Sequence, residues 1–188
     1  MKKQIGVPHI AMGAALIAVC SWLSIPMTVP VTMQTFAVCL VAALFGWKTG
    51  LYAVACYIML GAVGLPVFSG FRGGFGVLLG PTGGYIAGFL LTALAVGLSA
   101  ERFGRRPGVL IPAMVLGVLL CYVFGTAWFM VVYTRANGPV SILTALSLCV
   151  FPYLLPDALK ILLAAFLTRR LAPLAGREGR QSGDESGE

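Results

Sequence analysis

Two ionisable residues, Asp157 and Lys160, stand inside a long apolar stretch of this 188-residue chain. They follow the run FPYLLP that begins at Phe151, and their spacing of three puts them on one face of a helix. A charge at the centre of a membrane helix costs about 2.5–3.5 kcal/mol on insertion scales, so such residues generally face a cavity and mark function. Two readings of the pair are open, and they are compatible. In one, acid and amine neutralise each other, with Asp157 favoured in the first turn after Pro156. In the other, the pair meets a small polar solute: the carboxylate accepts from N–H groups while Lys160, or Arg72 elsewhere in the chain, meets an anion.

Arg72 lies in residues 64–88, GLPVFSGFRGGFGVLLGPTGGYIAG, which hold nine glycines and two prolines between apolar segments. Glycine lets the backbone turn sharply and pass close to another group. A slack connector would be rich in serine and charge. Here Phe68, Phe71, Phe75 and Tyr85 are interleaved instead, which predicts a structured, folded-back loop that lines a site. Arg72 reads equally as a ligand group or a solvated loop charge. Within the loop, Gly73, Gly74, Gly83 and Gly84 are candidate lining residues. Gln34, in VPVTMQTF from Val29, is polar at membrane depth along with Thr28, Thr32 and Thr35, and it is a further candidate to face a cavity. Tyr122, Phe124, Trp128 and Tyr133 could wall an apolar ring system or anchor a helix at the lipid interface.

Several chemistries are excluded. The sole histidine, His9, has no acidic or cysteine neighbour in sequence, and GPTGGY lacks the Gly-Lys-Ser/Thr ending of a phosphate-binding loop. Five cysteines all fall in apolar runs without paired short spacing, so they read as small buried hydrophobes. No metal-ligand spacing is present, no nucleophile–base pair is found, and the chain does not read as an enzyme.

The elements that must position these residues follow from composition. Hydrophobic residues make up 59% of the chain and charged residues 10%, with a mean hydropathy of +0.95. Soluble domains carry about 25% charge, so this is an all-α integral membrane protein. Six transmembrane helices are expected over residues 10–25, 35–45, 51–63, 82–100, 108–133 and 142–171. Thr82 is the expected cap of the fourth, and Pro152 and Pro156 should interrupt or bend the sixth. Residues 1–172 form one substrate-binding domain, and 173–188, small, polar and of mixed charge, read as a disordered tail. The first run is a retained helix rather than a signal peptide. Its small residues recur at i, i+4, Ala11 with Ala15 and Ala14 with Ala18, a spacing that lets helices approach in lipid, or that is ordinary alanine content.

The formal charge of +7 sits in short clusters between apolar runs, unlike the basic stripe of a nucleic-acid binder. With six spans, Lys2, Lys3, Lys48, Arg102, Arg105, Arg106, Arg169, Arg170, Arg177 and Arg180 fall on one side. Only Arg72 and Arg135 fall on the other, which places both termini in the cytoplasm. The glycine loop and the loop before Gln34 then face outside, over the outer half of the span that carries Asp157 and Lys160.

The residues already singled out carry a resemblance. GLPVF from Gly64, GPTGGY from Gly80, VPVTMQTF from Val29, FPYLLPDALK from Phe151 and YVFGTAW from Tyr122 occur in the order found in the BioY biotin-transporter family, and the likeness spans residues 11–171. It implies the substrate-binding S component of an energy-coupling factor transporter in the bacterial cytoplasmic membrane. Biotin would be the transported substrate rather than a cofactor, captured from outside at high affinity. It implies as partners a membrane coupling protein and ABC-type ATPases, with Ala11, Ala14, Ala15 and Ala18 against the coupling protein. The family's binding residues carry over to Asp157 and Lys160, to Arg72, and, through the motif, to Thr82 and Tyr85. Other readings are an S component for a different vitamin, or a proton-coupled secondary transporter of a small carboxylate. No inverted repeat between the halves supports the latter.

Overall fold

Helix α1 (Val7–Trp22) starts with a proline in its first turn, where the missing N–H would have had no helical partner. The computed structural model describes residues 6–27, 29–138 and 141–184. Lys2, Lys3 and Thr28, on which the sequence reading also drew, lie outside the described residues. After α1 the chain makes a hairpin of β1 (Ser24–Ile25) and β2 (Val31–Thr32), antiparallel with Ser24 opposite Thr32 and Ile25 opposite Val31. The sequence predicts only a proline-broken loop here, because two-residue strands have no period to detect.

Helix α2 (Gln34–Phe45) is the hub. Every residue from 36 to 44 is buried, and the helix touches α1 on one side and, on others, helices that follow it. A helix apolar all round belongs in an interior, which explains a length that is short for a lipid-exposed span. The helices that follow are α3 (Trp47–Ala62), a short α4 (Phe75–Leu79), α5 (Gly83–Phe103), α6 (Pro107–Asn137), α7 (Ile142–Cys149) and α8 (Phe151–Asp184), of which α3, α5, α6 and α8 pack on α2. The most extensive packing is between α5 and α6.

The interruption expected near Pro152 is present: the sixth apolar segment is two helices, broken at Val150 with φ −125° and ψ −55°. Pro152 cannot donate to Leu148 and its ring crowds that carbonyl, so α7 stops and Pro152 falls in the first turn of α8. Pro156 is accommodated inside α8, which continues to Asp184. Thr82 does occupy the N-cap position of α5, but its side chain makes no capping hydrogen bond.

Among the described residues, three helices are long and apolar enough to cross a membrane, over Gly83–Phe103, Pro107–Arg135 and Phe151–Pro173, and Val7–Trp22 and Gln34–Phe45 are shorter apolar helices. The loops separate cleanly by end. At one end Arg105 donates from Nη2 to Leu44 O at 2.6 Å, and the His9 ring lies 4.8 Å from Phe45. At the other, Ser21 Oγ donates to Val67 O, Trp22 Nε1 donates to Pro66 O at 2.8 Å, and Tyr153 OH donates to Val29 O. The hairpin and the glycine loop therefore share the end opposite the basic turns.

Candidate functional site

Asp157 lies one and a half turns into α8, level with the start of α2 and beneath both loops. Tyr153, Asp157 and Lys160 follow the i, i+4, i+7 spacing of a single helix face, and all three line one cavity. Asp157 and Lys160 are 5% and 8% exposed, so neither points into hydrocarbon or solvent. Lys160 Nζ donates to Asp157 Oδ1 at 2.7 Å. Thr35 Oγ1, from α2, donates to the same oxygen at 3.2 Å, and Tyr122 OH, from α6, donates to Oδ2 at 2.5 Å. Three helices thus converge on one carboxylate. An oxygen of an ionised carboxylate can accept two hydrogen bonds, so Oδ2 keeps a free acceptor position.

The cavity and its mouth together hold about 730 Å³ of space between atoms, open solvent included. Gln34 lines it with its amide already engaged: Nε2 donates to Tyr57 OH and Oε1 accepts from Thr32 Oγ1 at 2.8 Å. Tyr85 lines it with its hydroxyl 2.9 Å from Thr126 Oγ1. Phe68 and Phe89 supply apolar wall, and the glycine loop adds Ser69 and Arg72. Arg72 has no carboxylate partner among the described residues. The Asp157–Lys160 pair is neutral as a unit, so the site carries one uncompensated positive charge, at its mouth.

The glycine loop is structured. Phe68 N donates to Arg72 O at 2.9 Å, Gly74 N donates to Gly61 O at 2.6 Å, and Trp22 stacks on Phe71 with ring centroids 5.0 Å apart. The end of α1 therefore holds the loop by two hydrogen bonds and a ring stack.

The BioY family model matches residues 3–177. The chain belongs to the BioY family. A Thermotoga maritima protein named biotin transporter BioY is 42% identical over 161 residues, which is 85% of this chain and 91% of that protein. A Lactococcus lactis protein named biotin transporter BioY2 is 39% identical over 157 residues, 82% of each chain. A crystal structure described as the S-component for biotin from an ECF-type ABC transporter is similar with a TM-score of 0.78 at 27% identity, covering 88% of this chain and 89% of that one.

Within this BioY-family fold, the structure brings together six of the residues picked from sequence: Gln34, Arg72, Thr82, Tyr85, Asp157 and Lys160. Tyr122, named as a possible wall aromatic, lines the cavity as well, whereas Gly73, Gly74, Gly83, Gly84 and Trp128 stand outside that lining. A Cβ on Gly73 would lie 2.3 Å from Leu65 O, one on Gly83 1.6 Å from Leu78 O, and one on Gly84 2.3 Å from Trp128 Cβ. Gly74 has φ +93°, which side-chain-bearing residues avoid. Trp128 Nε1 donates to Gly80 O at 3.0 Å, so the indole fastens the loop to α6. Phe124 is exposed, and Tyr133 stacks on Phe129 with centroids 5.0 Å apart.

On α1, Ala14 and Ala18 are 3% and 8% exposed and pack against the chain's own core. Ala11 and Ala15 are exposed. Sequence reasoning missed Thr35, and it set Tyr122 only among possible wall aromatics. Tyr153 was detectable, since it sits one helical repeat before Asp157. The cysteines are free; Cys121 and Cys149 line the cavity, and Cys20 and Cys39 are core.

Proposed function

We propose that this chain is the biotin-capturing S component of an ECF-type vitamin importer. The observation that carries the reading is the pairing, in one cavity, of a neutral acid–amine unit with an arginine that has no carboxylate partner among the described residues. Biotin has complementary parts: a ureido group with two N–H donors and a carbonyl, an apolar thioether ring system, and a carboxylate tail. The free acceptor position on Asp157 Oδ2 suits a ureido N–H, and Lys160 suits the ureido carbonyl. Phe68, Phe89 and Tyr85 suit the rings, and Arg72 at the mouth suits the carboxylate. The names of the relatives support the same ligand.

In this reading α1, α2, α3, α5, α6 and the α7–α8 pair cross the bacterial cytoplasmic membrane. Both termini are cytoplasmic and the two loops face outside, as the distribution of basic residues favours. The exposed Ala11–Ala15 face of α1 meets a membrane coupling protein, which works with ABC-type ATPases, because the chain has no phosphate-binding loop of its own. The chain is a transporter component, not an enzyme.

The test is equilibrium binding of labelled biotin to detergent-purified protein, with other vitamins as competitors. Saturable binding displaced only by biotin is expected; displacement by a different vitamin would reassign the substrate. The arginine gives a sharper expectation. Arg72→Gln is expected to weaken biotin about fivefold, as for an exposed ion pair worth up to about 1 kcal/mol, and to leave the affinity for biotin amide, which has no carboxylate, unchanged. Equal losses for both ligands would remove Arg72 from the carboxylate.

A further inference from the structure

Asp157 is gripped unevenly. Oδ1 accepts from Lys160 on its own helix and from Thr35 on α2, whereas Oδ2 accepts from Tyr122 on α6 alone among the described residues. A carboxylate held by one oxygen can still swing about its side-chain bonds; one held by both cannot. Oδ2 is also the oxygen with an acceptor position to spare.

Behind this contact lies a second space, an apolar groove between α6 and α8 lined by Val118, Leu119, Leu154 and Ile161, with about 690 Å³ of empty volume. Tyr122 and Asp157 line both the groove and the cavity, so their hydrogen bond sits on the partition between them. Without the hydroxyl, Oδ2 would border an apolar space with no donor, and a buried unpaired acceptor is costly. The carboxylate would then be drawn round towards Lys160, and its free acceptor position would leave the cavity.

From this geometry we infer that Tyr122 is a positioning residue: it fixes the rotation of the Asp157 carboxylate so that Oδ2 presents its open acceptor position to the ligand's N–H. The inference rests on the biotin-binding reading above. Tyr122 acts through Asp157, so its contribution must vanish once the carboxylate is gone.

The experiment is a double-mutant cycle on the purified full chain. Labelled biotin is titrated to saturation of the weakest variant, against wild type, Tyr122→Phe, Asp157→Asn and the double variant. Tyr122→Phe keeps the ring and removes the donor. It is expected to weaken binding about 10- to 100-fold, the range for a hydrogen bond to a charged group. In the Asp157→Asn background the same change is expected to cost less than about twofold, since coupled residues are non-additive. Thr35→Val, which removes a donor from the oxygen that Lys160 already holds, is expected to cost about threefold or less.

Losses that multiply in the double variant would mean that Tyr122 meets the ligand or the fold independently, and would overturn the inference. So would Tyr122→Phe binding as wild type does, or Thr35→Val matching its loss. Wild-type protein that binds no biotin overturns the underlying reading first, and this inference with it.

Discussion

Asp157→Asn is expected to weaken biotin binding about a hundredfold, within the range lost when a hydrogen bond to a charged group is removed. The asparagine is nearly isosteric, so the cavity keeps its shape and the change is one of chemistry. One acceptor oxygen becomes an NH₂ donor facing donors. Tyr122 OH, Thr35 Oγ1 and Lys160 Nζ all aim at this side chain, and an amide can accept from only part of that set. A ureido N–H arriving at the same place meets a donor or a weakened acceptor.

The same substitution also leaves Lys160 buried at 8% exposure without its counter-ion. Breaking a buried pair on one side typically costs about 3–5 kcal/mol of stability, whereas replacing both members by apolar residues is often neutral or better. The two effects can be separated. The double variant Asp157→Asn/Lys160→Met is expected to recover most of the lost thermal stability and none of the binding. Thermal unfolding and labelled-biotin titration on the same preparations check this. If Asp157→Asn binds biotin as wild type does, the assignment of the site fails. If the double variant regains affinity along with stability, the pair is a structural clasp and the ligand is read elsewhere.

The acid–amine pair was legible because a charge in an apolar run is conspicuous at any register, and the spacing of three fixes that both sit on one helix face. The groups that complete it were not. Thr35 and Tyr122 reach Asp157 from residues 122 and 35 positions away in the chain, and a tyrosine in an apolar helix reads equally as an interfacial anchor. Ala11–Ala15 and Ala14–Ala18 have identical spacing, yet only the second pair is packed inside; periodicity shows that a face exists and leaves open which neighbour covers it.

The hub role of α2 was partly visible in its shortness and uniform apolarity. The hairpin and α4 were not, because elements of two and five residues are too short for a period to emerge. The loop's glycines predict tight, ordered backbone, and composition reports such close approach without saying to what.

That distinction makes the last expectation specific to position. Gly83 and Gly76 belong to the same loop region and look equivalent in sequence, but a Cβ at Gly83 would fall 1.6 Å from Leu78 O, whereas one at Gly76 has nothing within 4 Å. The first collision is with backbone, which cannot rotate aside, so the α4–α5 junction must shift. Val77 and Thr82, on either side of the strained contact, both line the cavity. Gly83→Ala is therefore expected to destabilise the protein by about 1–3 kcal/mol, as overpacking does, and to weaken biotin binding about tenfold or more as the rim moves. Gly76 lies within α4 without a positive φ, so Gly76→Ala should bind as wild type and gain about 0.4–1 kcal/mol by restricting the unfolded chain. Thermal unfolding and biotin titration of the two variants side by side check this. If the substitutions are equally harmless, the loop has slack that the packing denies. If they are equally harmful, the glycines serve motion of the loop, and close approach is not the reason for them.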